Sequence, residues 1–417
     1  MSKITFRFIL LFLWIGGIFF ISNVDALAQP VLKEKTKTGD FGKSLKKYDK
    51  KSDIDSKNKE KKSENTDEDE TIRVETNLVV CDVLVLDKQG RAIQGLKQSD
   101  FVVTEDDNRQ EISIFSLGGD TKIPRSFVLI FDYSGSQFPY IENSVEAAKV
   151  LVDKLNPKDR MAIVTDDVEL LQEFTKDKIL LKEKLEQLKK KALRRKFGAS
   201  KQYSALLATL NEMFDEEDVR PIVIFQTDGD QYRLIPSKNT PPGKISPAST
   251  YAQKLYNSFT FEDLRSVIEK SRATVYNVIP GLPLVGLSPE ERLEKARPTI
   301  EIQLKEQQKE SEKKGFPYKL PKGFADVVIE RLYQDQAALF GLSKLSGGFS
   351  EILEKPEQAD EIYSRILLGI NRRYVIGYYP NNQENNNKIR KVKIEVRNHP
   401  EYIVWGRKTY FDAQTEK

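Results

Sequence analysis

The sequence predicts an α/β protein: a doubly wound, mostly parallel sheet flanked by helices, with small N-terminal and C-terminal β units. Three observations predict it. Between residues 124 and 372, short uncharged apolar runs alternate with amphipathic stretches, the pattern of strand and crossover helix. Residues 127–131 and 221–226 carry no charge, as strands buried on both faces require. The flanking stretches 71–120 and 373–412 have short runs of strand character and turn signals instead.

Taken in order, the chain opens with Lys3 and Arg7, an uncharged apolar run over residues 8–21, and Ala26-Leu27-Ala28. This is the layout of a cleaved signal peptide over residues 1–28, and the run is shorter than the roughly 20 residues a membrane span needs. No later segment is apolar and long enough to span a bilayer, so the mature chain is expected to be exported: periplasmic, cell-surface or secreted. Residues 29–70 read as a disordered charged linker. Residues 31–70 hold 12 Lys and 11 Asp or Glu and almost nothing apolar, too little burial to offset the entropy of ordering.

The N-terminal β unit, 71–120, holds a strand over 74–86 with Val79, Cys81, Val83 and Val85 on one face, then short strands at 101–104 and 112–115 joined through Asp106-Asp107-Asn108. In the α/β domain, 124–372, strands are expected at 127–131, 160–165, 221–226 and 274–279. Helices are expected at 140–155, 178–195, 204–214, 261–271, 326–345 and 359–371. An insertion, 281–325, carries an exposed helix near 289–314 in spite of Pro298. Strands at 374–379, 388–396 and 402–409 close the chain, with a polar turn at 381–387.

Composition removes several kinds of chemistry. The chain of 417 residues has 67 Lys plus Arg against 63 Asp plus Glu, so near-balance gives no reason to expect nucleic-acid binding. A single His, His399, and a single Cys, Cys81, argue against a His-rich zinc site, a Ser-His-Asp triad, a Cys-cluster metal site and a disulfide framework. His399 sits beside Pro400 and reads as a solvated turn residue; Cys81 reads as a buried small hydrophobe.

What remains is oxygen chemistry. The strand at 127–131 runs into Asp132-Tyr133-Ser134-Gly135-Ser136, and the strand at 221–226 into Thr227-Asp228-Gly229. In an open α/β sheet ligands bind at the carboxyl ends of strands, and hydroxyls with carboxylates suit a hard cation such as Mg²⁺, Mn²⁺ or Ca²⁺. Ser200, in a loop before a helix, can add one more hydroxyl. The simpler reading is that Asp132, Ser134 and Ser136 only cap the next helix. A haloacid-dehalogenase-type phosphatase would need a carboxylate at position 134, and a serine hydrolase would need a nucleophile elbow and a His base. Neither is present, so the chain is read as a non-enzyme.

These residues resemble the metal-ion-dependent adhesion site of von Willebrand factor A domains. The wider chain is similar to a bacterial family of VWFA-related domains described mainly from acidobacteria. The similarity runs through residues 74–80, 96–101 and 103–106, Ser346-Gly347-Gly348, residues 374–380, and Arg407-Lys408-Thr409-Tyr410. The resemblance implies a Rossmann-like vWA sheet and a metal held directly by Ser134 and Ser136, with Asp132 and Asp228 acting largely through water. Ser200 stands where the family usually has Thr, and Ala199 where Gly is common. The resemblance further implies a protein partner whose carboxylate completes the metal's coordination, hence an exported adhesion or protein-interaction module. The alternative is a structural scaffold of the cell envelope that binds no metal. Residues 182–196 hold eight Lys or Arg against two acids; Lys189, Lys190, Arg194, Arg195 and Lys196 are expected to steer an acidic partner, unless they are only a solvated helix face.

Overall fold

The computed structural model describes residues 41–49, 78–119, 124–192, 200–214, 219–231, 235, 259–382 and 388–411. The expected signal peptide, most of the linker, the start of the first strand and residues 193–199 lie outside them.

In chain order, the first β unit holds Val79–Leu86 (β1), Phe101–Glu105 (β2), Asn108–Gln110 (β3) and Ile112–Leu117 (β4). The α/β domain holds Arg125–Phe131 (β5), Arg160–Thr165 (β6), Glu169–Thr175 (β7), Arg220–Gln226 (β8), Thr274–Pro280 (β9) and Ser350–Leu353 (β10). Tyr374–Tyr378 (β11), Ile389–Val396 (β12), Ile403–Trp405 (β13) and Thr409–Phe411 (β14) follow. The helices of eight or more residues are Phe138–Asp153 (α1), Lys178–Ala192 (α2), Gln202–Glu212 (α3), Phe261–Lys270 (α4), Pro289–Lys313 (α5), Phe324–Ser346 (α6) and Ala359–Asn371 (α7).

The central sheet has the order β10-β9-β8-β5-β6-β7, parallel except for the edge strand β7. Chain direction reverses at β5, which pairs with β6 on one side and β8 on the other. The crevice for ligands in such sheets opens at that switch point. Side chains from β5 alternate between two cores: Phe127, Leu129 and Phe131 pack under α1, α2 and α7, while Val128 and Ile130 pack under α3, α4 and α6. Every residue of β5 and β8 is buried, which is why both read as continuous apolar runs.

The strands on either side of the domain form one unit rather than two. The sheet β13-β1-β11-β4 and the sheet β14-β12-β2-β3 each mix N-terminal with C-terminal strands, around a shared core that includes Val83, Phe101, Tyr374 and Val392. Cys81 is 1% exposed in that core, and burial pushes its thiol up to about 12, so it is an inert apolar group. The link at Asp106-Asp107 has positive φ at both residues (45° and 67°), the geometry of a two-residue hairpin turn, so β3 follows at once. The strand expected across 402–409 is two strands, β13 and β14. They join different sheets, with Gly406 lying close over the Asp82 carbonyl.

A buried polar seam fastens this β unit to the central sheet. Arg220 Nε lies 2.6 Å from Asp82 Oδ1, Thr274 Oγ1 donates to Asp82 Oδ2 at 3.0 Å, and Arg373 Nη1 donates to the carbonyls of Asp82 and Gly347. Breaking a buried ion pair leaves the surviving charge without compensation. Asp82→Ala is therefore expected to cost about 3–5 kcal/mol, read as a lower urea midpoint at unchanged slope; a loss within measurement error would show the seam to be dispensable.

The expected disordered linker fails at residues 41–49. Lys43–Asp49 is helical, Tyr48 is buried, and Phe41, Leu45 and Tyr48 pack into the core under α3 and α4. Glu212 accepts hydrogen bonds from the amides of Gly42 and Ser44, both at 2.8 Å. Three apolar residues among many ions are enough when a preformed apolar surface receives them.

The insertion 281–325 is helical as expected. Ser288 and Glu291 form a reciprocal cap at the start of α5, with Pro289 at the first position. Pro298 does not end the helix because it lies on the exposed face, where water can take the carbonyl it leaves. Arg292, Ala296, Ile300 and Leu304 face α6 and form a small separate core with Ala325, Val328 and Ile329.

Candidate functional site

The site stands at the carboxyl ends of β5, β6 and β8. Asp132 follows β5 directly and is fully buried. Its Oδ1 accepts from the Ser134 amide at 2.9 Å, and its Oδ2 accepts from Thr227 Oγ1 at 2.9 Å and Gln202 Nε2 at 2.6 Å. Ser134 Oγ and Ser136 Oγ face each other at 3.2 Å. Ser134 makes no side-chain cap to the turn that follows, so helix capping does not account for the hydroxyl pair.

Two residues absent from the sequence reading organise the rest. Asp166, just past β6 and fully buried, accepts from the Tyr133 amide at 3.2 Å and from Ser200 Oγ at 2.7 Å. A hydroxyl that donates its proton in this way keeps its oxygen lone pairs for another partner. Gln202, in the first turn of α3, spends its amide nitrogen on three carboxylates: Asp132 at 2.6 Å, Asp228 at 3.0 Å and Asp230 at 3.0 Å. Its carbonyl accepts from the Gln231 amide. Asp132, Ser134, Ser136, Ser200 and Asp228 are thus brought together, with Asp166 and Gln202 as the connectors.

Backbone geometry fixes this arrangement. Gly229 has φ +76°, and a Cβ there would fall 2.8 Å from Leu339 Cδ1, so only glycine lets the chain turn after Asp228. Val168 also has positive φ (64°), a costly conformation for a β-branched residue. It closes the loop holding Asp166, and Gly42 of the N-terminal segment packs against it.

The electrostatics are one-sided. Burial, and then the charges of Asp166 and Asp228, push the Asp132 carboxyl well above the ordinary carboxylate range. The hydrogen-bond donors to Asp132 named above are all uncharged. Among the described residues no group of three or more His, Cys, Asp or Glu forms a metal cage by itself. The donors here are hydroxyls set among carboxylates, which fit a hard cation.

The proposed steering surface is only partly as expected. Lys189 donates to Glu142 at 2.7 Å, which holds its ammonium charged but neutralises its field. Lys190 is exposed, and Lys191 lies 5.6 Å over the Tyr133 ring, near the site. Arg194, Arg195 and Lys196 lie outside the described residues. His399, as expected, is an exposed turn residue, bonded to Glu401 at 2.9 Å and stacked on Tyr402.

No protein-family model matches the chain, and comparison with curated proteins returns no match. Solved structures similar to it include BatB from Bacteroides thetaiotaomicron, at 14% identity over 59% of this chain and 98% of that one, with a TM-score of 0.33. The vWF domain of the type V pili tip protein Mfa5 from Porphyromonas gingivalis matches at 13% identity over 60% of this chain and 97% of that one, TM-score 0.32. The PilB minor pilin from Streptococcus sanguinis matches at 11% identity over 61% and 62%, TM-score 0.36. The fold assignment rests on this chain's own strand order and directions.

Proposed function

We propose that the chain is an exported protein-interaction module of von Willebrand A type, which holds a divalent cation, Mg²⁺, Mn²⁺ or Ca²⁺, and uses it to take a carboxylate from a protein partner. The observation that carries this reading is the buried Asp132 carboxylate. It sits among Asp166 and Asp228, beside a facing pair of hydroxyls, with only uncharged donors. Ser134, Ser136 and Ser200 would present hydroxyl oxygens, and Asp132 and Asp228 would hold the surrounding shell. Bound there, the cation would supply a Lewis-acidic position open to an oxygen of the partner. Phe138, 55% exposed two residues beyond Ser136, offers an apolar contact at the rim. Comparing the melting temperature with Mg²⁺ or Mn²⁺ against that with EDTA tests the reading.

One observation favours the alternative of a metal-free envelope scaffold. The Gln202 amide already bridges Asp132, Asp228 and Asp230, where a cation would otherwise balance them. Gln202→Leu separates the two. It strips the carboxylates of that donor and is expected to cost the metal-free protein about 1–3 kcal/mol. On the cation reading, Mg²⁺ restores most of the lost melting temperature. On the scaffold reading, Mg²⁺ restores none.

A further inference from the structure

The inserted helical hairpin projects from the same end of the sheet as the candidate site. Asn277 of β9 bonds the Leu339 carbonyl at 2.6 Å, and Gln336 bonds the Leu282 carbonyl at 2.7 Å, so this part of α6 sits level with the end of β9. The twelve residues of α6 before Gln336 extend about 18 Å past it at 1.5 Å per residue. Arg297 meets Asp326 at 2.8 Å near the start of α6. From there α5 continues for another sixteen residues, about 24 Å, before the chain turns back.

The tip of this hairpin has an unusual composition. From Lys313 to Ala325 it contains Lys313, Lys314, Lys319 and Lys322 and no acid. Glu310 and Glu312 lie behind it on α5 and Asp326 on α6; Lys314 pairs with Glu310 at 2.7 Å. Between the lysines Phe316 is 68% exposed and Tyr318 is 40% exposed. These rings are held in place. The Phe316 amide donates to the Ser311 carbonyl at 2.9 Å, the Ser311 hydroxyl donates to the Phe316 carbonyl, and Gln308 Nε2 donates to the Tyr318 carbonyl at 3.1 Å. The fold spends ordered backbone on presenting two aromatic rings to solvent, flanked by cations.

We propose that this tip docks on an anionic lipid surface, with Phe316 and Tyr318 entering the headgroup region and the lysines meeting the phosphates. Aromatic rings prefer the bilayer interface, where an apolar body and a polar edge are both satisfied, and lysines beside them gain from a negative leaflet. Neither feature calls for a specific pocket, and the tip is a protrusion without one. The proposal is independent of metal binding, but it places the site and the lipid contact at one end of the molecule.

The test is sedimentation of the full chain with vesicles of phosphatidylglycerol and phosphatidylcholine, or of phosphatidylcholine alone. Two variants are run beside the wild type: Lys313, Lys314, Lys319 and Lys322 all changed to Gln, and Phe316→Ser with Tyr318→Ser. All six side chains are exposed, so melting temperatures should not move. Every chain carries the same N-terminal apolar run, so differences between them report on the tip. The wild type is expected to bind the anionic vesicles, and to bind them less as salt is raised. The lysine variant should lose about a hundredfold in partitioning, and the aromatic variant about tenfold. Equal binding of all three chains, or equal binding of the wild type to neutral vesicles, would overturn the proposal. So would binding to polyglutamate without binding to vesicles, which would assign the tip to an acidic protein.

Discussion

A chain truncated to begin at Ser126 is expected to be insoluble or to melt without cooperativity. The cut removes β1 to β4. β11 lies between β1 and β4 and would lose both neighbours, and β12 would lose β2. Tyr374, Ile376 and Tyr378, now fully buried, would face water together with Val392 and Val396, and two bare strand edges would be open to pairing with other chains. The same cut deletes Asp82, leaving Arg220 and Arg373 buried without that partner. Hydrogen exchange on whatever soluble fraction is recovered would map the damage. A monomeric truncated chain with a sharp unfolding transition would show that the α/β domain stands alone.

This dependence explains why the sequence led to two β units where there is one. Strand character is local: Val79, Cys81, Val83 and Val85 alternate whatever they pair with. Pairing across nearly 300 residues leaves no local trace, and β1 finds its partner at Val375 and Ile376. The elements that reading missed are edge elements. β7 has no buried residue, and its register with β6 shifts twice, so no clean alternation exists to be seen. β10 is four residues long and gains its identity from β9. Buried parallel strands, by contrast, were legible because both faces must be apolar.

The site divides in the same way. Asp132, Ser134, Ser136 and Asp228 were legible because each lies just beyond an apolar strand, and strand ends converge in a parallel sheet. Asp166 also follows a strand directly, β6, and that position was the available signal for it. Gln202 had no such mark. It matters only because the first turn of α3 aims at carboxylates 26 to 70 positions away in the chain.

Mg²⁺ or Mn²⁺ is expected to raise the melting temperature of the wild type and to leave Asp132→Ala unmoved. A ligand at a hundred times its dissociation constant stabilises the native state by about 2.7 kcal/mol. The pH dependence gives this result a second, independent readout. In the metal-free protein the Asp132 carboxyl holds its proton above the ordinary value of 3.8, because burial and then Asp166 and Asp228 disfavour the charge. The native state then binds more protons than the unfolded one between the ordinary and the raised value. Stability from this group is present below that window and is lost as pH rises through it. A cation needs the ionised carboxylate, so protons compete with it. The metal-induced shift should therefore grow from about pH 5 to about pH 8, while the metal-free protein loses stability over part of the same range. Asp132→Asn removes the titrating group and should flatten both trends. A wild-type melting temperature that Mg²⁺ and Mn²⁺ leave unchanged at every pH would leave the scaffold reading in place, with Gln202 as the permanent occupant between the carboxylates.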